Sequence, residues 1–262
     1  MEYIIFLLLG LGVGTFGTLV GIGGGLILVP FFIFFMSDGG IYPYFHTAAQ
    51  IVGTSIFVVF TNAMSGTLAY VRQKRIFYHA AVPFALATLP GAFLGSYIAD
   101  RFTGKSLDFY YGCFLFCMAS LMYWNNTRKK NSDEPTELPQ GFTYNRLLGI
   151  ISSTGVGFIA SMFGVGGGII HVPLMVYVLG FPTHVATATS HFVLAVSSSI
   201  GLISHALLNH VVWLPALCIG VGAATGAQIG AQISKKTKPR TILILLSLAV
   251  FAVAIRLIYM GL

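Results

Sequence analysis

The sequence predicts an all-α polytopic membrane protein built from two inverted-topology repeats. Three observations predict it. Of 262 residues 56% are hydrophobic and 8% charged, against about a quarter charged in an ordinary soluble chain. A glycine-rich stretch occurs twice, as GIGGGLILVP at Gly21–Pro30 and GVGGGIIHVP at Gly164–Pro173. Eleven of the fourteen Lys and Arg residues fall in three short loops between apolar runs.

Each half divides into five apolar segments. The first half has Tyr3–Val20, Gly25–Met36, Thr47–Val71, Ala80–Ala99 and Leu107–Trp124. The second has Leu147–Phe163, Gly168–Leu179, His184–Leu208, Val212–Ile233 and Thr241–Tyr259. A run of roughly 20 apolar residues is what a spanning helix needs. The first run has no basic n-region and continues into the glycine motif, so it reads as a membrane segment and not a cleaved leader. The short second segment of each half, joined to the first by the glycine motif, reads as the return arm of a broken, re-entrant hairpin. The copies stay in step: at an offset of 143 across the motifs, and of 135 where Gly53-Thr54-Ser55 meets Ala188-Thr189-Ser190 and Gly66 meets Gly201. An internal duplication therefore covers nearly the whole chain. The division is residues 1–127 and 147–262 as repeats, with 128–146 a polar, proline-containing linker.

Loop charge sets orientation. The basic loops are Arg72/Lys74/Arg75, the linker flanks Arg128–Lys130 and Arg146, and Lys235–Arg240. Placing all three in the cytoplasm requires an even number of crossings between them, which the segments supply, and puts both termini outside. The partner of the first loop, Leu207–His210, has no Lys or Arg, and the loop around Asp100–Lys105 partners the third. Equivalent loops then lie on opposite faces. Inverted repeats of this kind are common in secondary transporters, with the substrate at the repeat interface.

The net charge of +7 is topological and gives no reason to expect nucleic acid. Cys113, Cys117 and Cys218 sit in apolar runs and form no metal or disulfide pattern. No cofactor or metal is expected. Partners are a small anionic substrate, the lipid bilayer and, as an open option, a second copy in a homodimer.

Three consecutive glycines stop the helix before them, and the run that follows starts another. Free N–H groups at such a start favour an anion. In hydrocarbon, open backbone is tolerated only inside protein or a watery cavity. No βαβ unit surrounds the motif, so it is not a dinucleotide loop. Gly91/Gly95 and Gly222/Gly226/Gly230 read as helix-packing positions. The candidate substrate contacts are Gly23, Gly24, Gly25 and Gly166, Gly167, Gly168. With them go the duplicated hydroxyls Thr54, Ser55, Thr189 and Ser190, and the polar Gln50, Asn62, His171 and His191. Thr54, Thr61, Ser65 and Arg72 share one helical stripe, as do Ser190, Ser197 and Ser204. His46, His184, His205 and His210 are expected near outer segment ends.

These residues resemble the TauE/SafE sulfite exporter family, also called TSUP. The resemblance rests on the two glycine stretches, on GTS at Gly53–Ser55 and ATS at Ala188–Ser190, and on SHALLNHVVW at Ser204–Trp213. It implies transport of a small sulfur-containing anion such as sulfite, sulfoacetate or another organosulfonate. The chain departs from the family pattern where Lys74 and Asn209 replace a usual glycine. The acidic residue expected beside Phe77 and Val212 is absent. An anion fits the charges: no carboxylate, Lys or Arg stands at a midplane, so helix dipoles and hydroxyls would hold the substrate without trapping it. Export of a monoanion from a negative interior gains about 2.3 kcal/mol per 100 mV. A passive anion channel with the same site is the alternative. An intramembrane hydrolase would need a nucleophile with a positioned base, and adjacent Ser190-His191 point apart on a helix.

Overall fold

The computed structural model describes residues 2–36, 40, 43–99, 104–128, 138–139 and 141–261. Among them the ordered elements are helices: α1 (Glu2–Val20), α2 (Gly25–Phe35), α3 (Ala48–Arg72), α4 (Tyr78–Ala99), α5 (Gly104–Arg128), α6 (Arg146–Phe163), α7 (Gly168–Pro173), α8 (Thr183–Leu207), α9 (Trp213–Lys236) and α10 (Pro239–Gly261). A π-helical turn, Leu174–Val178, carries α7 onward. The ends lie close to the apolar segments read from sequence. Residues 100–103 of the Asp100–Lys105 loop and most of the linker fall outside the described residues.

Local chemistry places the helix ends. Thr47 caps α3 by accepting the Gln50 N–H at 3.2 Å, and Asn145 caps α6 by accepting the Leu148 N–H at 3.0 Å. Such caps satisfy donors that a helix start leaves free. Helices α1 and α6 end at equivalent glycines, Gly21 (φ 86°) and Gly164 (φ 69°), in the left-handed region where an L side chain is strained.

Six helices among the described residues, α1, α3, α4, α6, α8 and α9, are long and apolar enough to cross a membrane. The chain is a multi-span membrane protein. The α2 helix, 11 residues, rises only about 16 Å against a hydrocarbon layer of roughly 30 Å. The centre is α3 against α8. Helices α9 and α4 flank that pair, α1 packs along α9, α6 along α4, and α5 pairs with α10. Exchanging α1–α5 for α6–α10 carries the α1–α9 contact onto α6–α4 and α3–α9 onto α8–α4, and leaves α3–α8 and α5–α10 in place.

Small residues let these pairs close. A methyl at Gly222 or Gly226 would strike the α1 backbone at Leu7 and Leu11, and one at Gly91 or Gly95 would strike α6 at Thr154 and Phe158. In lipid, where apolar burial between helices gains little, such close backbone approach is the main attraction. The outward faces carry exposed Leu8, Leu86, Leu94, Leu147, Val221 and Leu248, as a lipid-facing surface requires.

Candidate functional site

The two glycine motifs meet. A Cβ on Gly25 would fall within 2.5 Å of the Val165 carbonyl oxygen, and one on Gly168 would strike the Gly21 carbonyl. Each break is thus seated against the other half's break. Gly23 (φ 78°) and Gly166 (φ 73°) are both left-handed, and both face the same two side chains, Val59 and Leu194. The motifs are not identical in backbone, contrary to what their shared sequence suggests: Gly24 is left-handed at φ 86°, whereas Gly167 is right-handed at φ −67°. The first break continues as the α-helical α2, the second as six α-helical residues and the π-turn.

The backbone of these motifs is buried and its hydrogen bonding is incomplete. On the first side the Gly21, Ile22 and Gly23 N–H groups all turn back to the Gly17 carbonyl. The next three, on Gly24, Gly25 and Leu26, have no acceptor among the described residues; pairing resumes with Ile27 N–H to the Gly24 carbonyl. On the second side Val165 N–H bonds Ala160 O, and Ile170 and His171 N–H bond Gly167 O. Between them Gly166, Gly167, Gly168 and Ile169 have no acceptor among the described residues. A helix start leaves its first N–H groups free, and these seven belong to the starts of α2 and α7; what sets them apart is that they are buried, where backbone donors are paired in more than nine cases in ten.

The duplicated hydroxyls tie the halves together. Ser55 Oγ donates to the Gly164 carbonyl at 2.7 Å; its counterpart Ser190 Oγ donates to the Gly21 carbonyl at 3.5 Å. Thr54 Oγ1 accepts the Val212 N–H at 2.9 Å, and Thr189 Oγ1 accepts the Phe77 N–H at 3.1 Å. Each threonine thus spends a lone pair on the turn that follows the counterpart helix in the other half, Thr54 on the α8–α9 turn and Thr189 on the α3–α4 turn. Among the described residues no acceptor takes the hydroxyl proton of either. Both threonines are fully buried.

Asn62 sits in a polar knot joining α1, α3, α8 and α9. Its Nδ2 donates to the Gly14 and Ala223 carbonyls at 3.0 and 3.1 Å, and its Oδ1 accepts the Thr18 hydroxyl at 3.1 Å. His191 Nε2 lies 3.3 Å from Thr18 Oγ1. The Thr18 proton goes to Asn62, so His191 Nε2 must donate, and its Nδ1, which has no partner, carries the lone pair. His171 repeats the logic. Ser153 Oγ gives its proton to Gly149 O at 2.7 Å, His171 Nε2 lies 3.1 Å from that Oγ, and His171 Nδ1 is unpartnered. A free lone pair suits a donor, so an anion would meet either imidazole only after protonation.

The remaining candidates stand apart from this centre. Gln50 is half-buried at the start of α3, where its Oε1 accepts the His46 N–H at 2.9 Å. Ser65 Oγ bonds the Ala224 carbonyl at 2.6 Å and Thr61 Oγ1 bonds Val58 O within its own helix. His184, expected near an outer end, instead joins Arg75 in the first basic loop at 2.9 Å. The reason is that α8 is itself long enough to span, so its start lies at the opposite end from the α8–α9 turn.

Sequence reasoning passed over Thr18, Tyr70 and Arg75. The Tyr70 hydroxyl donates to Thr18 O at 2.6 Å, and at the equivalent place His205 Nε2 donates to Ser161 O at 3.2 Å. The signal was present: Thr18 and Ser161 are hydroxyls placed three residues before Gly21 and Gly164.

A family model described as "Sulfite exporter TauE/SafE" matches residues 6–257. Probable membrane transporter protein YunE of Bacillus subtilis is 34% identical over 272 residues, covering 100% of this chain and 99% of the relative. Probable membrane transporter protein MJ0441 of Methanocaldococcus jannaschii is 29% identical, covering 93% of this chain and 90% of its own. A probable membrane transporter protein, ORF9, of a Sinorhizobium species is 28% identical with 98% and 93% covered. No solved structure matches the chain.

Proposed function

The chain belongs to the sulfite exporter TauE/SafE family of membrane transporters, and on that premise we propose that it exports a small sulfur-containing anion, such as sulfite, sulfoacetate or another organosulfonate, held where the two glycine breaks meet. The family is one of transporters, so the hydrolase reading falls away.

The observation that carries the proposal is the set of seven buried N–H groups, on Gly24–Leu26 and Gly166–Ile169, that have no acceptor among the described residues. Neutral donors of this kind stabilise an oxyanion without a buried cation that would hold it too tightly. The Thr54 and Thr189 hydroxyls supply two further donors. Ser55 and Ser190 hold the Gly164 and Gly21 carbonyls, which turns those acceptors away from the bound charge. Val59 and Leu194 cover both Gly23 and Gly166 and act as the apolar plug of a closed state.

In this reading transport is by alternating access between the two repeats. Residues 1–127 and 147–262 act as inverted repeats, with α2 and α7 as re-entrant arms. The exchange of α1–α9 for α6–α4 under swapping of the halves supports that reading. Both termini lie outside a cell membrane. Export then runs down the membrane potential, gaining about 2.3 kcal/mol per 100 mV for a monoanion, without a coupling ion. A passive channel would use the same donors without moving the repeats.

Flux of labelled sulfite, sulfoacetate and taurine into proteoliposomes tests the proposal. A carrier saturates and shows counterflow. Current that grows in proportion to voltage without saturating would establish the channel. Absence of flux for sulfite and sulfoacetate, the two anions, and for the zwitterionic taurine would remove the substrate class.

A further inference from the structure

Arg75 lies in the turn between α3 and α4, on the face that gathers Arg72, Lys74, Lys235 and Lys236. Its guanidinium crosses from the first half of the chain to the second. Nη2 donates to His184 Nδ1 at 2.9 Å and to the His184 carbonyl at 3.1 Å, at the start of α8. It also reaches Ser234 Oγ of α9 at 3.5 Å. Nη1 donates to Gln73 Oε1 at 3.0 Å, and the group lies over the Tyr70 ring, 5.1 Å from its centroid.

Every one of these acceptors is neutral. No Asp or Glu pairs with Arg75 among the described residues, and its Nε–H has no acceptor there. Partial burial pushes the guanidinium below its ordinary pKa, with the charge interaction with Tyr70 opposing. A desolvated cation normally has a carboxylate partner; this one has a set of weak substitutes. A planar guanidinium is also the group best shaped to take two oxygens of a carboxylate or sulfonate at once. The position equivalent to Arg75 at the 135-residue offset is His210, which pairs with His205 at 3.0 Å. One end of the duplicated core therefore holds a permanent cation and the other an imidazole pair.

We propose that Arg75 is the first docking point for the anionic substrate on the basic face, and that the anion binds by displacing His184 and Ser234 from the guanidinium. The ligand class is a small oxyanion that presents two oxygens in one plane. Displacement frees the α3–α4 turn from α8 and α9, so that capture of the anion loosens one contact between the halves at that mouth. The inference rests on the anion-transport reading above and adds to it an entry site and a sidedness: substrate is collected at the end that bears the cation.

The test uses the purified full-length chain in detergent, with sulfite and sulfoacetate as probes and chloride as control. Anything that binds the folded state raises its melting temperature with concentration. The parent protein is expected to show a saturable rise with the oxyanions and little with chloride. Arg75→Gln should move the half-effect concentration up by at least about tenfold, and Arg75→Lys by less. His184→Ala removes a competitor for the guanidinium and should move it down several-fold, a direction that loss of packing does not produce. If Arg75→Gln folds and keeps the parental dependence, Arg75 is only a latch and the inference is overturned. If it does not fold, His184→Ala decides: a lower half-effect concentration supports the inference, and an unchanged or higher one sinks it. A parent with neither an oxyanion response nor oxyanion flux removes the transport reading itself, and this inference with it. A parent that responds while the variants behave like it removes the Arg75 site alone.

Discussion

Single residues here do double duty, and their hydrogen bonds say which role to test first. Thr54 and Thr189 each accept a backbone N–H, from Val212 and from Phe77, and each keeps a hydroxyl proton to offer. Thr54→Val and Thr189→Val remove both functions at nearly constant volume. Each should cost about 1 kcal/mol of stability for the abandoned N–H, and roughly 1.5–3 kcal/mol of anion affinity for the lost charged hydrogen bond. Thr→Ser at either site should restore the affinity. Titration of anion-dependent melting separates the two effects; parental affinity in both valine variants would confine these hydroxyls to structure. A second prediction concerns Lys74 and Asn209, at φ 55° and 57°, the non-glycine residues in the left-handed region among those described. They are the two positions where the sequence departs from a usual glycine, and the backbone shows why glycine suits them. Lys74→Gly should raise the melting temperature, by an amount worth about 1 kcal/mol, and Asn209→Gly by less, because asparagine tolerates that region. No gain for Lys74→Gly would show that its strain is relieved elsewhere. The sequence marked Thr54, Ser55, Thr189 and Ser190 because both copies keep them. It marked Arg75 only as a loop charge, because the partners Gln73, His184 and Ser234 are scattered along the chain and are assembled only by the fold.

At the scale of the elements, long apolar runs made the helices legible, since a run of the right length in lipid has few conformations that satisfy its backbone. What periodicity could not show is which face of a break touches what. Gly25 and Gly168 look in sequence like part of a ligand loop; in the structure they are the points where one break presses on the other. Gly24 and Gly167, at equivalent places in the two motifs, differ in backbone, at φ 86° and −67°. Alanine at Gly25 or Gly168 must push the Val165 or Gly21 carbonyl away. Overpacking of this kind costs about 1–3 kcal/mol, and here it should also separate the two sets of orphan N–H groups. Gly12 and Gly155 have nothing within 4 Å of a would-be Cβ and lie inside α1 and α6. Alanine there should be neutral or stabilising by roughly 0.5–1 kcal/mol. Melting temperature and anion flux, measured on all four variants, check the contrast. Loss of flux in Gly25→Ala and Gly168→Ala, with retention in Gly12→Ala and Gly155→Ala, is the expected outcome. Equal behaviour of all four would mean the contact between the breaks is unimportant.

For the molecule as a whole, the question is how the two halves sit in the bilayer. The contact pattern is unchanged when the halves are exchanged: α1 on α9 becomes α6 on α4, while α3–α8 and α5–α10 map onto themselves. Such an exchange relates the halves by a two-fold operation but leaves its axis free, either along the membrane normal or within its plane. The loops choose between these. The α3–α4 turn carries Arg72, Lys74 and Arg75, and the end of α9 carries Lys235 and Lys236, whereas the α8–α9 turn, Leu208–Val211, has no Lys or Arg. Arg75 reaches Ser234 at 3.5 Å, which places the α3–α4 turn and the end of α9 on one face. Helix α9 runs from Trp213 to Lys236 and is long enough to cross, so its start, beside Asn209, belongs to the opposite face. The α3–α4 and α8–α9 turns are equivalent in the duplication, and their placement at opposite ends of α9 favours the axis in the membrane plane that the proposed inverted repeats need. Basic residues favour the cytoplasmic side. A cysteine at Lys236, in a chain with Cys113, Cys117 and Cys218 replaced, should therefore react with an impermeant maleimide only after the cell is opened, and one at Asn209 should react in intact cells. Labelling of both from the same side would put the axis along the normal and dismantle the inverted arrangement; labelling with the two sides swapped would keep the arrangement and reverse the direction in which Arg75 collects its anion.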